Sequence, residues 1–485
     1  MDAGRTRLHR RPLAWAGGVF LLAWFLFFSR GVLSVHFAPD DMMNADSFYW
    51  TPGWARAIAS QFLPWSGYYR PMGGLFYMPL VSLWGLDPAP YHVVLSLVLA
   101  VSVGLVYRLA RLLEAAPLAA FLAALAACYH AGLGNLYYNT AFIYDALCGC
   151  FYLATLVCYC GVRRESREFG ARQLALFGVL LLCALNSKEM ALTIPGALLA
   201  YEWIYHPLAA GRLRDGDSGG STVVSARRPI ALAALLVILD FYGKVFGHDA
   251  LTAMEGYRPV FTWQRFLAYQ RTFLHDAAFW ETGGWGVLAF WVLVTYLAWR
   301  PGARRVLRFC WALLVLTPLP IEFLPGKSQA CLYIPALALA IFAAVVIADL
   351  AGALADVLTG EPLFRRLSRQ TLLAGLVAVA VFCWGRENRR RELTLVDPSI
   401  AALGAQTWQV IEQFRALHPQ VRPHSHVVFL NDPFTAWDML FIADLWFRDR
   451  TVTVHLQRLA PLPESALSAA DVVYDYRGGQ LLRVR

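Results

Sequence analysis

Residues 174–204 read LALFGVLLLCALNSKEMALTIPGALLAYEWI: two apolar runs, Leu174 to Leu185 and Ala191 to Ile204, meet at the polar tetrapeptide Asn186-Ser187-Lys188-Glu189. The runs barely leave room for a loop. Each has the character of a membrane helix, and ionisable residues at such a depth generally pair, line a cavity or act on a substrate. The plainer reading is a tip whose Lys188 and Glu189 simply reach out to water.

The same pattern runs through most of the chain. Of 485 residues 58% are hydrophobic and 15% charged, more apolar and less charged than a soluble domain. Apolar stretches also occur at Leu13 to Phe28, Tyr91 to Leu109, Pro117 to Leu133, Ala141 to Tyr159, Pro229 to Val245, Trp285 to Trp299, Phe309 to Phe323, Leu332 to Leu350 and Leu372 to Trp384. Together they predict an all-α polytopic membrane protein of about eleven transmembrane helices. The first stretch follows Arg5, Arg7, Arg10 and Arg11 without a convincing cleavage site, so it reads as an uncleaved helix.

The net charge of +9 does not point to nucleic acid, because the basic residues fall in short clusters between apolar spans. Alternate loops hold Arg108 and Arg111, then Arg163, Arg164, Arg167 and Arg172, then Arg212, Arg214, Arg227 and Arg228. The series continues with Arg300, Arg304, Arg305 and Arg308, then Arg365, Arg366 and Arg369. Under the positive-inside rule these loops are cytoplasmic. The N-terminus is then cytoplasmic, the membrane is the inner (plasma) membrane, and the C-terminus lies outside. Arg30 and the run Arg386, Arg389, Arg390 and Arg391 oppose this assignment. The nine cysteines lie in or beside the spans without a CxxC pair and read as small packing residues.

Residues 1–385 thus form the membrane part, and 386–485 read as a small extracytoplasmic α/β domain. Its expected elements are a helix with Trp408, Ile411, Phe414 and Leu417 on one stripe, a strand His426 to Leu430 and a helix through Trp437 to Phe447. A strand Thr451 to His455 and a hairpin, Val472 to Tyr476 turning at Gly478-Gly479 into Leu481 to Val484, complete it. No catalytic constellation stands out there, which leaves a structural or acceptor-docking role.

The loop after the first span opens with Pro39-Asp40-Asp41 and continues through Asn44, Asp46 and Trp54 to Tyr68-Tyr69-Arg70-Pro71. Two adjacent carboxylates repel, so either one has its pKa raised toward a general-base range, or both are held ionised by a cation such as Mg²⁺ or Mn²⁺. Taken alone, an Asp-Asp pair is an ordinary solvated turn. Tyr257-Arg258-Pro259 echoes Tyr69-Arg70-Pro71 ahead of an aromatic-rich stretch that reads as a helix lying in the membrane interface.

Pro325-Gly326-Lys327-Ser328 is no P-loop, since Ile321 stands where the motif needs its first glycine. Lys327 reads as an anion contact or an interfacial anchor. Asp145 lies at the outer end of its span, and Asp240 and Lys244 share a helix face at i and i+4 as a buried pair would. His92, after Pro90-Tyr91, is more simply a helix-start packing residue than a ligand.

The order of these pieces resembles the GT-C glycosyltransferases, most closely the bacterial relatives of the transmembrane and tetratricopeptide-repeat O-mannosyltransferases. The similarity runs from Asp40-Asp41 through Tyr69-Arg70-Pro71 and Trp84-Gly85-Leu86-Asp87-Pro88-Ala89-Pro90-Tyr91-His92 to Asp145, Ser187-Lys188-Glu189-Met190 and Tyr333-Ile334-Pro335. It covers the membrane part, to about Leu350. The small α/β unit stands where that family has its repeats, and Tyr144 stands where an arginine is expected before Asp145.

The resemblance implies a helical bundle whose acidic pair, Asp40 and Asp41, serves as catalytic base or metal site, with a polyprenyl-phosphate sugar as donor. Arg70, Tyr69, Asp46, His92, Asp145, Lys188, Glu189, Arg258 and Lys327 are the expected substrate-binding residues. The expected reaction is an inverting transfer of a sugar, mannosyltransferase-like, to an acceptor hydroxyl on a glycan, lipid or protein. A transporter or lipid flippase is the non-enzyme alternative and predicts an internal repeat, which the sequence lacks. A polysaccharide polymerase or ligase differs only in a larger lipid-linked donor.

Overall fold

The structure, a computed structural model, describes residues 5–50, 53–60, 70–165, 168–207, 220–246, 255–325, 329–360 and 367–485. Tyr69, Lys327, Arg167, Arg212, Arg214, Arg365 and Arg366 lie outside the described residues. Among those described, five helical segments are long and apolar enough to cross a membrane: Trp15–Ser34, Ala89–Leu112, Thr140–Arg164, Ala226–Phe246 and Ala330–Gly360. The pair Pro117–Cys128 and Ala131–Tyr138, bent by 45°, makes a sixth. Met72–Trp84, Ala171–Leu185 and Gly284–Trp299 are apolar but shorter. The chain is a polytopic helical membrane protein, while these lengths do not fix a count of about eleven spans.

The two helices flanking Lys188, Ala171–Leu185 and Ile194–Tyr205, have 15 and 12 residues. At ~1.5 Å per residue they reach about 22 and 18 Å, short of a ~30 Å hydrocarbon core, so the tip between them is set back from a full crossing. The Pro117–Cys128 helix packs on both Ala89–Leu112 and Tyr333–Gly360. Buried Ala119, Ala120, Ala123, Ala124 and Ala127 let the backbones come close there, as membrane helices without a hydrophobic driving force require.

The bend at Tyr129–His130 has a local cause. Beside it the Trp263–Ala278 helix approaches so closely that a Cβ on Gly132 would lie 1.9 Å from the Asp276 carbonyl oxygen. The His130 ring meets the Ala277 carbonyl through Nε2 at 3.1 Å and accepts the Gly132 N–H at 3.2 Å, serving backbone groups that the break leaves open.

Four of the five arginines that oppose the predicted topology, Arg30, Arg389, Arg390 and Arg391, are paired. Buried Glu392 lies 3.7 Å from Arg30 and 2.5 Å from Arg389, and also accepts the Tyr138 hydroxyl at 3.2 Å. Glu387 takes Arg390 and Arg391.

The Arg369–Arg391 helix continues without a break through residue 386, and one π-helical turn, Glu392–Val396, leads into the Asp397–Leu417 helix. The tail is therefore joined to the bundle by nearly continuous helix. Its sheet has strands β1 (His426–Phe429), β2 (Thr453–Leu456), β3 (Val472–Arg477) and β4 (Gln480–Arg483) in the order β2-β1-β3-β4. The first three are parallel, and β4 closes an antiparallel hairpin with β3. Val427, Val428 and Phe429 on central β1 are all fully buried, as a strand covered on both faces demands. On the Asp397–Leu417 helix, Val410, Ile411 and Phe414 form the buried stripe, while Leu417 is 39% exposed.

Gly132 and Gly104 provide matched tests of this packing. Gly132→Ala should cost about 1–3 kcal/mol, because backbone rather than a flexible side chain must give way. Gly104→Ala, in a helix with nothing within 4 Å of its Cβ position, should be neutral or stabilising by up to ~1 kcal/mol. Thermal unfolding in detergent checks both, and equal effects would contradict the close approach.

Candidate active site

The acidic doublet opens an α-helix, Pro39–Tyr49, with Pro39 in its first turn. Asp41 is fully buried and caps that helix: its Oδ2 accepts the Ala38 N–H at 2.8 Å. Its Oδ1 accepts the Thr140 hydroxyl, and the Tyr77 hydroxyl lies 3.5 Å away while donating to the Thr140 carbonyl at 3.2 Å. Burial pushes the Asp41 carboxyl up to about 7, against the pull of the Thr140 and Ala38 hydrogen bonds. The neighbouring Asp40 charge also raises it, as the sequence suggested, but by less than burial does.

Asp40 is different. Successive helical residues point ~100° apart, so while Asp41 turns inward, Asp40 is exposed and its carboxylate pairs with no described side chain. One turn further on the same face, Asn44 donates to the Asp40 carbonyl at 2.8 Å and accepts the Tyr144 hydroxyl at 3.0 Å.

Tyr144 is the bridge to the cations. The Arg70 guanidinium lies over its ring at 5.5 Å, donates to Glu189 through Nε at 3.2 Å and Nη2 at 3.0 Å, and reaches the Tyr257 hydroxyl at 3.0 Å. Gly73 makes room: a Cβ there would lie 2.2 Å from the Tyr144 ring. The next residue, Asp145, receives Lys188 Nζ at 2.6 and 2.7 Å, and the Cys331 thiol lies 3.2 Å from the same nitrogen. Behind them Lys244 pairs with Asp240 at 2.9 Å and donates to the Leu185 carbonyl at 2.7 Å. Burial works to raise the Glu189 carboxyl, but Arg70, then Lys244 and Lys188, hold it at about 2.

Asp40 and Asp41 thus share one end of the bundle with Arg70, Asp145, Lys188 and Glu189, linked to them through Asn44 and Tyr144. Two expected residues, His92 and Asp46, do not join them. His92 is fully buried, its surroundings being Val35 and His36. Asp46 accepts the Trp50 indole N–H at 3.0 Å and turns toward the tail, and exposed Arg258 sits just past Tyr257. Tyr69 and Lys327 are outside the described residues. Tyr144, Thr140, Asn44, Tyr257 and Cys331 complete the site without a sequence signal of their own, apart from the repeated Tyr-Arg-Pro triplet. As a metal chelate the doublet fits poorly, because successive positions of the helix turn Asp41 inward and Asp40 outward. Among the described residues no group of three or more His, Cys, Asp or Glu could hold a metal.

No family model and no curated protein sequence matches the chain. Among solved structures it is similar to ArnT from Cupriavidus metallidurans bound to undecaprenyl phosphate, with a TM-score of 0.50 and 14% identity over 91% of this chain and 86% of that one. An oligosaccharyltransferase of Archaeoglobus fulgidus tethered with an acceptor peptide gives a weaker likeness, TM-score 0.49 and 13% identity over 91% of this chain and 64% of that one. The chain has the GT-C fold.

A raised carboxyl pKa means that the folded protein holds a proton that the unfolded chain, with Asp near ~3.9, releases. Stability from this group is greatest in acid, falls as pH climbs from about 4 to about 7, and is flat above. Asp41→Asn should make the fall of melting temperature across that window shallower than in wild type. Parallel curves would show that Asp41 titrates normally.

Proposed function

We propose that this protein is an inverting glycosyltransferase that moves a sugar from a polyprenyl-phosphate donor to an acceptor hydroxyl on the extracytoplasmic face. The observation that carries the reading is the meeting of the acidic helix with Arg70 and Lys188 through Tyr144 and Asp145. The fold shared with ArnT, a structure bound to undecaprenyl phosphate, supports a lipid-linked donor. The orientation rests on the opposite end of the bundle, where Arg111, Arg163, Arg164 and Arg305 gather: Arg164 donates to the Arg111 carbonyl, Arg163 pairs with Glu202, and Arg305 lies over Tyr205. Such an end faces the cytoplasm. Nucleotide sugars stay on that side, so a transferase working on the other needs a carrier in the lipid.

Asp40 is the general base in this reading, being the acid with an open carboxylate, and Asp41 holds its helix. The acceptor oxygen forms a bond to the anomeric carbon as the bond to the phosphate oxygen breaks, the hydroxyl proton passes to Asp40, and the lipid phosphate leaves with the electron pair. One displacement inverts the centre. Arg70 and Lys188, kept charged and aimed by Glu189 and Asp145, face the growing phosphate charge. Arg258 and Lys327 remain candidates for the same task. The poor fit of a chelate leaves no step to Mg²⁺ or Mn²⁺.

Purified protein in lipid, incubated with a panel of polyprenyl-phosphate monosaccharides and followed by mass spectrometry, should turn over one donor. Asp40→Asn and Arg70→Ala should each lower that turnover by roughly 10²-fold or more. Normal turnover by Asp40→Asn would overturn the assignment.

A further inference from the structure

The tail grips the acidic helix from both sides. Ahead of it, the His36 ring stacks on Trp408 of the Asp397–Leu417 helix with centroids 4.1 Å apart. Behind it, Arg450, just past the Asp438–Phe447 helix, donates to the Tyr49 carbonyl and lies over the rings of Tyr49 at 5.3 Å and Trp50 at 5.6 Å. Arg448 donates to the Val81 carbonyl at 3.4 Å and fills the space at Gly85, whose φ of 56° and missing side chain both admit it. Arg415 reaches the Leu86 carbonyl at 3.3 Å. The two helices, Pro39–Tyr49 and Asp438–Phe447, pack directly.

At the centre of that contact one indole N–H faces two acids. Trp50 donates to Asp46 at 3.0 Å, and the Asp444 carboxylate from the tail faces both that N–H and the Asp46 charge. Two carboxylates with one donor between them repel unless they also keep a proton. Burial raises both, Asp46 to about 6 and Asp444 to about 7, with the Asp46 charge adding to the rise of Asp444. The other charged or titratable groups facing the joint are the Tyr49 phenol, Arg448, Asp449 and Arg450. Asp40 and Asp438 approach each other further along the two helices.

We infer that the C-terminal α/β domain is a positioning element for the acidic helix, with Arg450 as its grip and the Asp46–Trp50–Asp444 joint as the point where protonation sets how tightly the helix is held. This deepens the transferase reading and rests on it only for the activity arm of the test. Because the docked carboxyls bind protons more tightly than free Asp at ~3.9, docking is strongest in acid and weakens as pH rises from about 4 to about 7. Above that it is constant. Asp444→Asn keeps an acceptor for Trp50 and removes the repulsion.

Hydrogen exchange of amides 40–49 in the full-length protein in lipid, corrected for intrinsic rates between pH 5 and pH 8, reads the joint without any substrate. Wild-type protection should fall as pH rises toward about 7, the fall should be shallower in Asp444→Asn, and Arg450→Ala should lose protection throughout. With a donor present, Arg450→Ala should lower kcat by roughly 10-fold or more while the donor KM holds, as misplacement of a reacting group does. Superimposable exchange profiles for wild type and Asp444→Asn, or full protection and unchanged kcat in Arg450→Ala, would overturn the inference. A wild type that turns over no donor would sink the transferase reading, and the exchange profiles would still decide the joint.

Discussion

Lys188 and Asp145 are each under a tenth exposed and meet through both carboxylate oxygens. Neither charge is tolerable alone in that setting, and removing one partner of such a pair typically costs about 3–5 kcal/mol. The pair therefore fixes the Lys188 tip against the start of the Ile143–Arg164 helix. Further along the seam, Cys148 Sγ meets the Lys188 carbonyl at 3.6 Å and Tyr152 meets the Thr193 hydroxyl at 3.1 Å. The chain neighbours of the pair, Tyr144 and Glu189, are delivered to the two sides of Arg70 as a consequence. The Met72 N–H also bonds to the Asn186 carbonyl at 3.3 Å, which places Arg70 by its backbone as well.

What could be read from sequence follows from what is local. Lys188 and Glu189 stood out because charge between two apolar runs has few innocent explanations. Asp145 and Arg70 were singled out too, but not as their partners, since Asp145 is 43 residues from Lys188 and Glu189 is 119 from Arg70, and periodicity carries no information over such distances. The Asp40-Asp41 doublet was visible, but its division of labour depends on a helix starting at Pro39, which turns one acid inward and the other out. The Met72–Trp84 helix escaped because Gly73-Gly74 and Pro79 break up a short apolar run. In the tail the strands were legible by alternation, whereas their parallel order is a property of tertiary packing.

The cations of the site are balanced by carboxylates: Arg70 by Glu189, Lys188 by Asp145 and Lys244 by Asp240. Where burial is this deep a bare lysine would shed its proton, and a bare arginine would pull the chain toward water. Pairing keeps both charged and aimed while no anion is bound. A lipid phosphate arriving under the proposed mechanism then meets donors already oriented, so little reorganisation remains for the moment of reaction.

The helix that carries Asp40 has 11 residues, too few to persist on its own in water. Its position is therefore a tertiary product. Asp41 ties its first turn to Thr140 of the bundle, Asn44 ties its middle to Tyr144, and its last turn belongs to the tail through Tyr49, Trp50 and Arg450. Asp40, the base of the proposed mechanism, is thus held on a short element with anchors on two bodies. The anchor nearest the cations is a neutral hydrogen bond between Tyr144 and Asn44, and the one nearest the tail is the charged Arg450. A change in the tail can reach Asp40 through that short lever, which gives the tail a physical route to the proposed chemistry.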